Sequence, residues 1–286
     1  MTEEAVLGNE AIARGLIESG VDVVASYPGT PSSEILAAVI EWKKKLALDT
    51  YVEWSVNEKV AFEVALAASW TGKRAAVTMK QVGLNVASDP LLSAAYTGVV
   101  GGFVVIVCDD PGPYSSQTEQ DTRLFALFAK VPVLDPSTPR EAKDLVSTAF
   151  ALSEKYLVPV ILRPALRVSH TRQNVKSNMF DRTLRPARFA RNANRWAATP
   201  RDRLRLHHEL NRKLIEIERE FETSELNRRF QVRDLPPRGE QVPLGLITAG
   251  VPHETACELL SDLRVEIPNL KIVTTCLLYT SDAADE

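Results

Sequence analysis

WSVNEKVAFEVALAASWTG, residues 54–72, joins the end of one element to the start of another. Val52 to Trp54 reads as the end of a buried strand, and Asn57 is a residue type that caps helices. Val60, Ala61, Val64, Ala65 and Ala68 then repeat at helical spacing. A strand passing through an asparagine cap into a helix with a small apolar face is half of a βα unit. Glu58 falls in the first turn of that helix. The macrodipole favours an acid there by roughly 0.3–1 kcal/mol, which accounts for the residue without any chemistry. Its function has to be argued from what surrounds it.

The same alternation extends in both directions. Upstream, Asn9 is placed to cap a helix to Ser19, Val21 to Ser26 reads as a strand, and Ser32 to Lys45 as a helix with Ile35, Leu36, Val39 and Ile40 on one side. Downstream, strands are predicted over Ala75–Met79, Phe103–Cys108, Val131–Leu134 and Val158–Leu162. These runs are short, β-branched and almost continuously apolar, so both faces need cover, as in an α/β parallel sheet with helices on both faces. Two helix starts carry side-chain signatures: Ser116 with Glu119, and Thr138-Pro139 with Glu141, the latter opening a helix to about Tyr156.

A chain of 286 residues, 45% hydrophobic, can bury a sizeable core and holds one domain of about 180 residues plus pieces. The expected divisions are a first domain over 1–178, a charged helical linker over 179–240 and the start of a second α/β domain over 241–275. From Arg182 to Glu240 there are 15 basic against 9 acidic side chains, a local +6 that leaves −9 elsewhere in a chain of net charge −3. A charged helix is predicted from Pro200 to Glu222, either as a solvated interdomain helix or as a docking surface for another subunit. After Gly239 a βαβ pattern restarts: strand Pro243–Thr248, turn at Gly250, helix Val251–Leu263, strand Leu270–Thr275. Residues 276–286, CLLYTSDAADE, interrupt that strand without turn chemistry and read as a non-native, adapter-derived tail.

Several classes of function are disfavoured. The slightly acidic balance argues against nucleic-acid binding, and no apolar run reaches the roughly 18 residues a membrane span needs. The N-terminus has no basic segment followed by an apolar core, and the three cysteines form neither a disulfide framework nor a CxxC pair. Cys108 and Cys257 read as inert buried thiols in a reducing, cytoplasmic protein. There is no GxGxxG and no GxxxxGK phosphate loop.

Three further stretches stand at strand-to-helix turns: SYPGTPSSEI (26–35), MKQVGLNVASDP (79–90) and SSQTEQDTR (115–123). Carboxyl-end turns of parallel strands are where α/β proteins place ligands. Gly29 permits unusual backbone angles, Ser32 or Ser33 can cap the next helix, Lys80 is an available anion partner, and Arg123 can bind a carboxylate bidentately. In order, these stretches and the Glu58 helix resemble the pyrimidine-binding domain of thiamine-diphosphate-dependent 2-oxoacid:ferredoxin oxidoreductases. The nearest likeness is to the indolepyruvate-type alpha subunits, from about Leu7 to about Arg172.

That resemblance implies specific roles. Glu58 would hydrogen-bond the cofactor's aminopyrimidine ring at N1′, in a setting where partial desolvation raises a carboxylic acid's pKa. Gln81 and Asn85 would line the thiamine diphosphate pocket, although Gln81 stands where relatives often carry histidine. Thr30, Gly29 and Arg123 would meet the 2-oxoacid. The implied reaction is oxidative decarboxylation of indolepyruvate and related aryl 2-oxoacids to the acyl-CoA, with electrons passed to ferredoxin and a beta subunit as partner in an oligomer. Mg2+ and [4Fe-4S] clusters are implied only further along such a subunit, because neither a GDG segment with a downstream asparagine nor a cysteine cluster occurs here. The fragment alone would then be inactive. The same chemistry on pyruvate or 2-oxoglutarate, and a noncatalytic α/β interaction module, are the alternatives.

Overall fold

The computed structural model describes residues 3–181, 183, 185–197, 199–230, 245–264 and 267–275. Strands in chain order are β1 (Glu3–Leu7), β2 (Val23–Ser26), β3 (Tyr51–Trp54), β4 (Ala75–Lys80), β5 (Phe103–Cys108), β6 (Val133–Leu134), β7 (Val160–Leu162), β8 (Arg172–Lys176), β9 (Arg228–Phe230), β10 (Leu246–Ala249), β11 (Asn269–Ile272) and β12 (Thr274–Thr275). Helices are α1 (Gly8–Glu18), α2 (Ser33–Leu46), α3 (Glu58–Trp70), α4 (Gln81–Val86), α5 (Ser88–Thr97), α6 (Thr122–Ala129), α7 (Pro139–Tyr156), α8 (Leu166–His170), α9 (Ala193–Trp196), α10 (Pro200–Glu222) and α11 (Val251–Leu263).

The main sheet runs β12-β6-β7-β5-β4-β2-β3, parallel throughout except for β12. Every residue of β5 is buried, as its apolar run requires. Helix α1 packs between α2 and α7, while α5 packs against α3, α6 and α10. The two groups cover opposite faces, because right-handed crossovers carry α2 and α3 to opposite sides once the direction across the sheet reverses at β3.

Four local readings need correction. β3 is the edge of the sheet, with Tyr51 52% and Trp54 41% exposed, so the strand before Glu58 is half-covered and not buried. The buried side of α3 consists of Ala61, Phe62, Ala65, Leu66 and Ser69, while Val60, Val64 and Ala68 are only partly covered. Asn9 does not cap α1; its amide donates to Pro31 O at 2.6 Å and to Glu34 Oε2 at 2.8 Å, tying α1 to the turn after β2. Ser116 and Glu119 do not open a helix. Asp110 captures the backbone N–H groups of Tyr114 and Ser115 in a local loop, and α6 begins only at Thr122, capped by Asp121.

β1, α4 and α5 were not anticipated from sequence. β1 pairs antiparallel with β8, register Glu3↔Lys176. The Thr138 cap and the ends of α7 and α10 stand where the sequence placed them. α10 is not solvated all round: Leu206, Leu210, Leu214, Ile217 and Phe221 form a buried stripe one or more turns apart. β10, α11 and β11 make the expected parallel βαβ unit, and β12 then adds antiparallel to β6. Residues 276–286 and the first part of the expected Pro243–Thr248 strand lie outside the described residues. Cys108 is fully buried and burial pushes its thiol up, whereas Cys257 is only half-buried. No helix among the described residues is long and apolar enough to cross a membrane.

Phe62 is fully buried on α3 and meets Phe103 edge-on with ring centroids 5.0 Å apart. Phe62→Ala is expected to cost about 3–5 kcal/mol in urea unfolding at neutral pH. A loss below about 1 kcal/mol would mean that α3 is not seated on this sheet.

Candidate active site

Parallel pairing sets the site. Ser26 is in register with Trp54 on one side and with Thr78 on the other, so the turns that leave β2, β3 and β4 emerge together at one edge. The connection β2 to β3 runs one way along the sheet and β3 to β4 runs back. The crevice between the β2 and β4 turns is therefore a topological switch point.

Into this edge the sequence sends a tightly held turn. Tyr27 to Ser32 includes a cis Thr30-Pro31 peptide. Neither Ser32 nor Ser33 caps α2 with its side chain. The Gly29 N–H donates to Ser33 Oγ at 2.8 Å, and the Ser32 hydroxyl donates to Gly29 O at 2.7 Å, so both hydroxyls hold the turn instead. Thr30 is exposed at its tip and makes no hydrogen bond among the described residues.

Asn57 caps α3, its side chain accepting the Val60 N–H at 2.9 Å, which sets the direction of the first turn. Glu58 is half-buried and lies directly over α4. A Cβ added to Gly83 would stand 2.5 Å from Glu58 Oε1, 2.7 Å from Cγ and 2.9 Å from Cδ. Any larger residue there would displace the carboxylate. Among the described residues that carboxylate accepts no hydrogen bond and forms no ion pair.

α4 supplies the floor. Gln81 is 1% exposed; its Nε2 donates to Thr118 O at 3.4 Å and its Oε1 has no partner. It borders a cavity of about 320 Å³ lined also by Leu84, Asp121, Thr122, Phe125 and Phe128. Asn85, one turn on, is exposed. Lys80 ends β4, and its stem lies on Gly29, across the crevice.

Arg123 is engaged elsewhere. Its Nε donates to Asp121 Oδ1 at 2.9 Å and its Nη2 to Asp121 Oδ2 at 2.7 Å, while Nη1 reaches Asp135 Oδ2 at 3.3 Å. Burial pushes the Asp121 carboxyl up, but the Arg123 fork outweighs it and holds the group below the usual carboxylate range. Behind it lies a network that sequence reasoning missed. Arg163 Nε contacts Asp109 Oδ2 at 2.7 Å and its Nη1 contacts Asp135 Oδ1 at 3.3 Å, with both aspartates fully buried. Burial pushes the Asp135 carboxyl above its ordinary range despite the two arginines. A hydrophobic strand ending in two adjacent acids, with an arginine at the end of a later strand, is the one signal that could have found it.

Glu58 with Gly83, and Lys80 with the Gly29 turn, thus stand where β2 and β4 end; Gln81 faces the cavity beside α6, and Arg123 the buried network. The Glu58 carboxylate, seated on Gly83 and without a partner among the described residues, is available to a hydrogen-bonding group of a ligand. Among the described residues there is no group of three or more His, Cys, Asp or Glu that could hold a metal ion.

Comparison with known proteins gives the same direction. The family profile described as pyruvate flavodoxin/ferredoxin oxidoreductase, thiamine diphosphate-binding, matches residues 14–223. The indolepyruvate oxidoreductase subunit IorA of Archaeoglobus fulgidus is 44% identical over 270 residues, 93% of this chain and 42% of that relative. That of Thermococcus kodakarensis is 42% identical over 91% of this chain and 40% of its own length. The 2-oxoglutarate synthase subunit KorA of Methanocaldococcus jannaschii is 28% identical over 61% of this chain. A solved 2-oxoglutarate:ferredoxin oxidoreductase from Magnetococcus marinus superposes with TM-score 0.74 at 18% identity, covering 99% of this chain and 55% of that one, which speaks to the fold. The chain spans about two fifths of the length of these two indolepyruvate oxidoreductase subunits.

The Glu58–Gly83 approach is testable without any ligand. Gly83→Ala should cost about 1–3 kcal/mol through overpacking, while Gly83→Ala in a Glu58→Ala background should be neutral or stabilising. Chemical denaturation of the four proteins gives the coupling; additivity within about 0.3 kcal/mol would mean that the two groups do not touch.

Proposed function

Because the chain belongs to the thiamine-diphosphate-binding family of pyruvate flavodoxin/ferredoxin oxidoreductases, we propose that it is part of an indolepyruvate-type 2-oxoacid:ferredoxin oxidoreductase subunit. The observation that carries the proposal is the free Glu58 carboxylate over Gly83 at the switch point of the sheet. In this reading residues 1–178 are the pyrimidine-binding domain, 179–240 the linker, 241–275 the beginning of a second α/β domain and 276–286 a non-native tail. The indolepyruvate assignment, in preference to pyruvate or 2-oxoglutarate, is supported by 41–44% identity to indolepyruvate oxidoreductase subunits against 28% to 2-oxoglutarate synthase subunits.

When bound, thiamine diphosphate supplies the carbanion chemistry that lets a 2-oxoacid lose carbon dioxide. The chain's own residues hold and polarise it. Glu58, as the carboxylic acid, would donate a hydrogen bond to N1′ of the aminopyrimidine ring and pass its proton there, its angle set by the Asn57 cap and its depth by Gly83. Gln81, buried with one acceptor unsatisfied, and Asn85 would border the same ring. Thr30 would offer its unpaired hydroxyl to the 2-oxoacid, on a turn braced by Ser32, Ser33 and Gly29. For Arg123 to meet a substrate carboxylate it would have to exchange Asp121 for it. The acyl-CoA product, ferredoxin as acceptor, and a beta subunit within the oligomer belong to the whole enzyme. Its Mg2+ and [4Fe-4S] groups would be held by residues outside those described here, and this portion alone would be inactive.

The test is Glu58→Ala in the full-length subunit assembled with its partner. Indolepyruvate-dependent viologen reduction is expected to fall at least 100-fold, since positioned acid-base groups contribute about 10² to 10⁴. Turnover within about tenfold of wild type refutes the role of Glu58.

A further inference from the structure

Substrates of this reaction class carry a carboxylate beside the carbonyl that reacts, and a crevice that binds them needs a cation for it. The arginine that sequence offers, Arg123, is committed to Asp121 and Asp135. Lys80 is not committed. Its Cδ, Cγ and Cβ lie 3.0, 3.1 and 3.6 Å from where a Gly29 Cβ would sit, so its methylenes rest on the turn that carries Thr30. The stem is held by packing, and the absent side chain at Gly29 makes the room.

The ammonium at the end of that stem forms no hydrogen bond or ion pair among the described residues. Three other lysines of low exposure among the described residues do: Lys73 with Asp22 at 3.2 Å, Lys143 with Glu18 at 2.8 Å and Lys271 with Glu141 at 2.9 Å; partly covered Lys43, like Lys80, does not. Glu58 lies over Gly83, three residues further along the same turn, yet the two free charges do not neutralise each other. A crevice that keeps an unpaired carboxylate and an unpaired ammonium apart has two different ligand groups to meet.

We propose that Lys80 receives the carboxylate of the 2-oxoacid, facing Thr30 across the crevice. This rests on the reading of the chain as part of a 2-oxoacid oxidoreductase. Negative charge leaves that carboxylate as carbon dioxide forms, so a fixed ammonium binds the ground state at least as well as the transition state. Lys80 therefore acts on substrate affinity and not on the rate of the bound complex.

The experiment uses the full-length subunit with its partner and compares wild type with Lys80→Met, which keeps the stem, and Lys80→Arg, which keeps the charge. Lys80→Met is expected to raise KM for indolepyruvate about 10- to 100-fold with kcat within about threefold, and Lys80→Arg to recover part of the loss. Thiamine diphosphate affinity, followed by calorimetry, should stay within about threefold, and the thermal midpoint within a few degrees because the ammonium has no internal partner. A KM within twofold of wild type, a fall in kcat at constant KM, a joint loss of cofactor affinity, or a variant that fails to fold each overturns the assignment. A wild-type enzyme that consumes no 2-oxoacid sinks the functional reading itself, which distinguishes the two failures.

Discussion

Parallel pairing of β2 with both β3 and β4 is the constraint on which the site depends. Because all three strands run the same way in aligned register, three turns that are far apart in sequence leave the sheet within one crevice. A one-residue slip of any of them would turn its alternate side chains to the other face. It would also carry Glu58 or Gly29 away from the β4 turn. The buried valines and alanines of β2 and β4 resist such a slip, since each slip exposes apolar surface at about 25 cal/mol per Å².

Close backbone approach does the rest. Gly83 and Gly29 are the points at which one turn receives the side chain of another, Glu58 in the first case and Lys80 in the second. Both are places where a single methyl group would interfere. The polar side chains of the region divide the same way: Asn9, Ser32, Ser33 and Asn57 spend hydrogen bonds within the fold and so define shape, while among the described residues Glu58, Thr30 and Lys80 keep theirs.

A second polar centre, Asp109–Arg163–Asp135–Arg123, anchors the neighbouring part of the molecule. Asp135 lies against Gly250 of the β10–α11 turn, and its backbone N–H donates to Val273 O at 2.8 Å. Lys271 reaches Ser137 and Glu141 at the start of α7. β10, α11 and β11 are thus joined to the main sheet through the Lys271–Glu141 ion pair and β12. Removing one partner of such a network leaves an uncompensated buried charge.

Much of this was legible before any coordinates. The α/β class, the Asn57 cap, the limits of α7, α10 and α11, and the strand Phe103–Cys108 follow from local spacing and capping chemistry, which act over a few residues. The differences at Asn9 and Ser32 share one cause: a side chain that can cap its own helix bonds a partner elsewhere, at Pro31 or Gly29; at Ser116 the Asp110 carboxylate instead draws the preceding backbone into a loop. Likewise no pattern distinguishes an edge strand such as β3 from a central one until the strand order is known. Sequence alone determined which residues carry reactive groups and which elements present them. Only the tertiary structure decided which groups remain free, because whether a carboxylate, ammonium or guanidinium has a partner depends on chain segments that pairing and packing bring together.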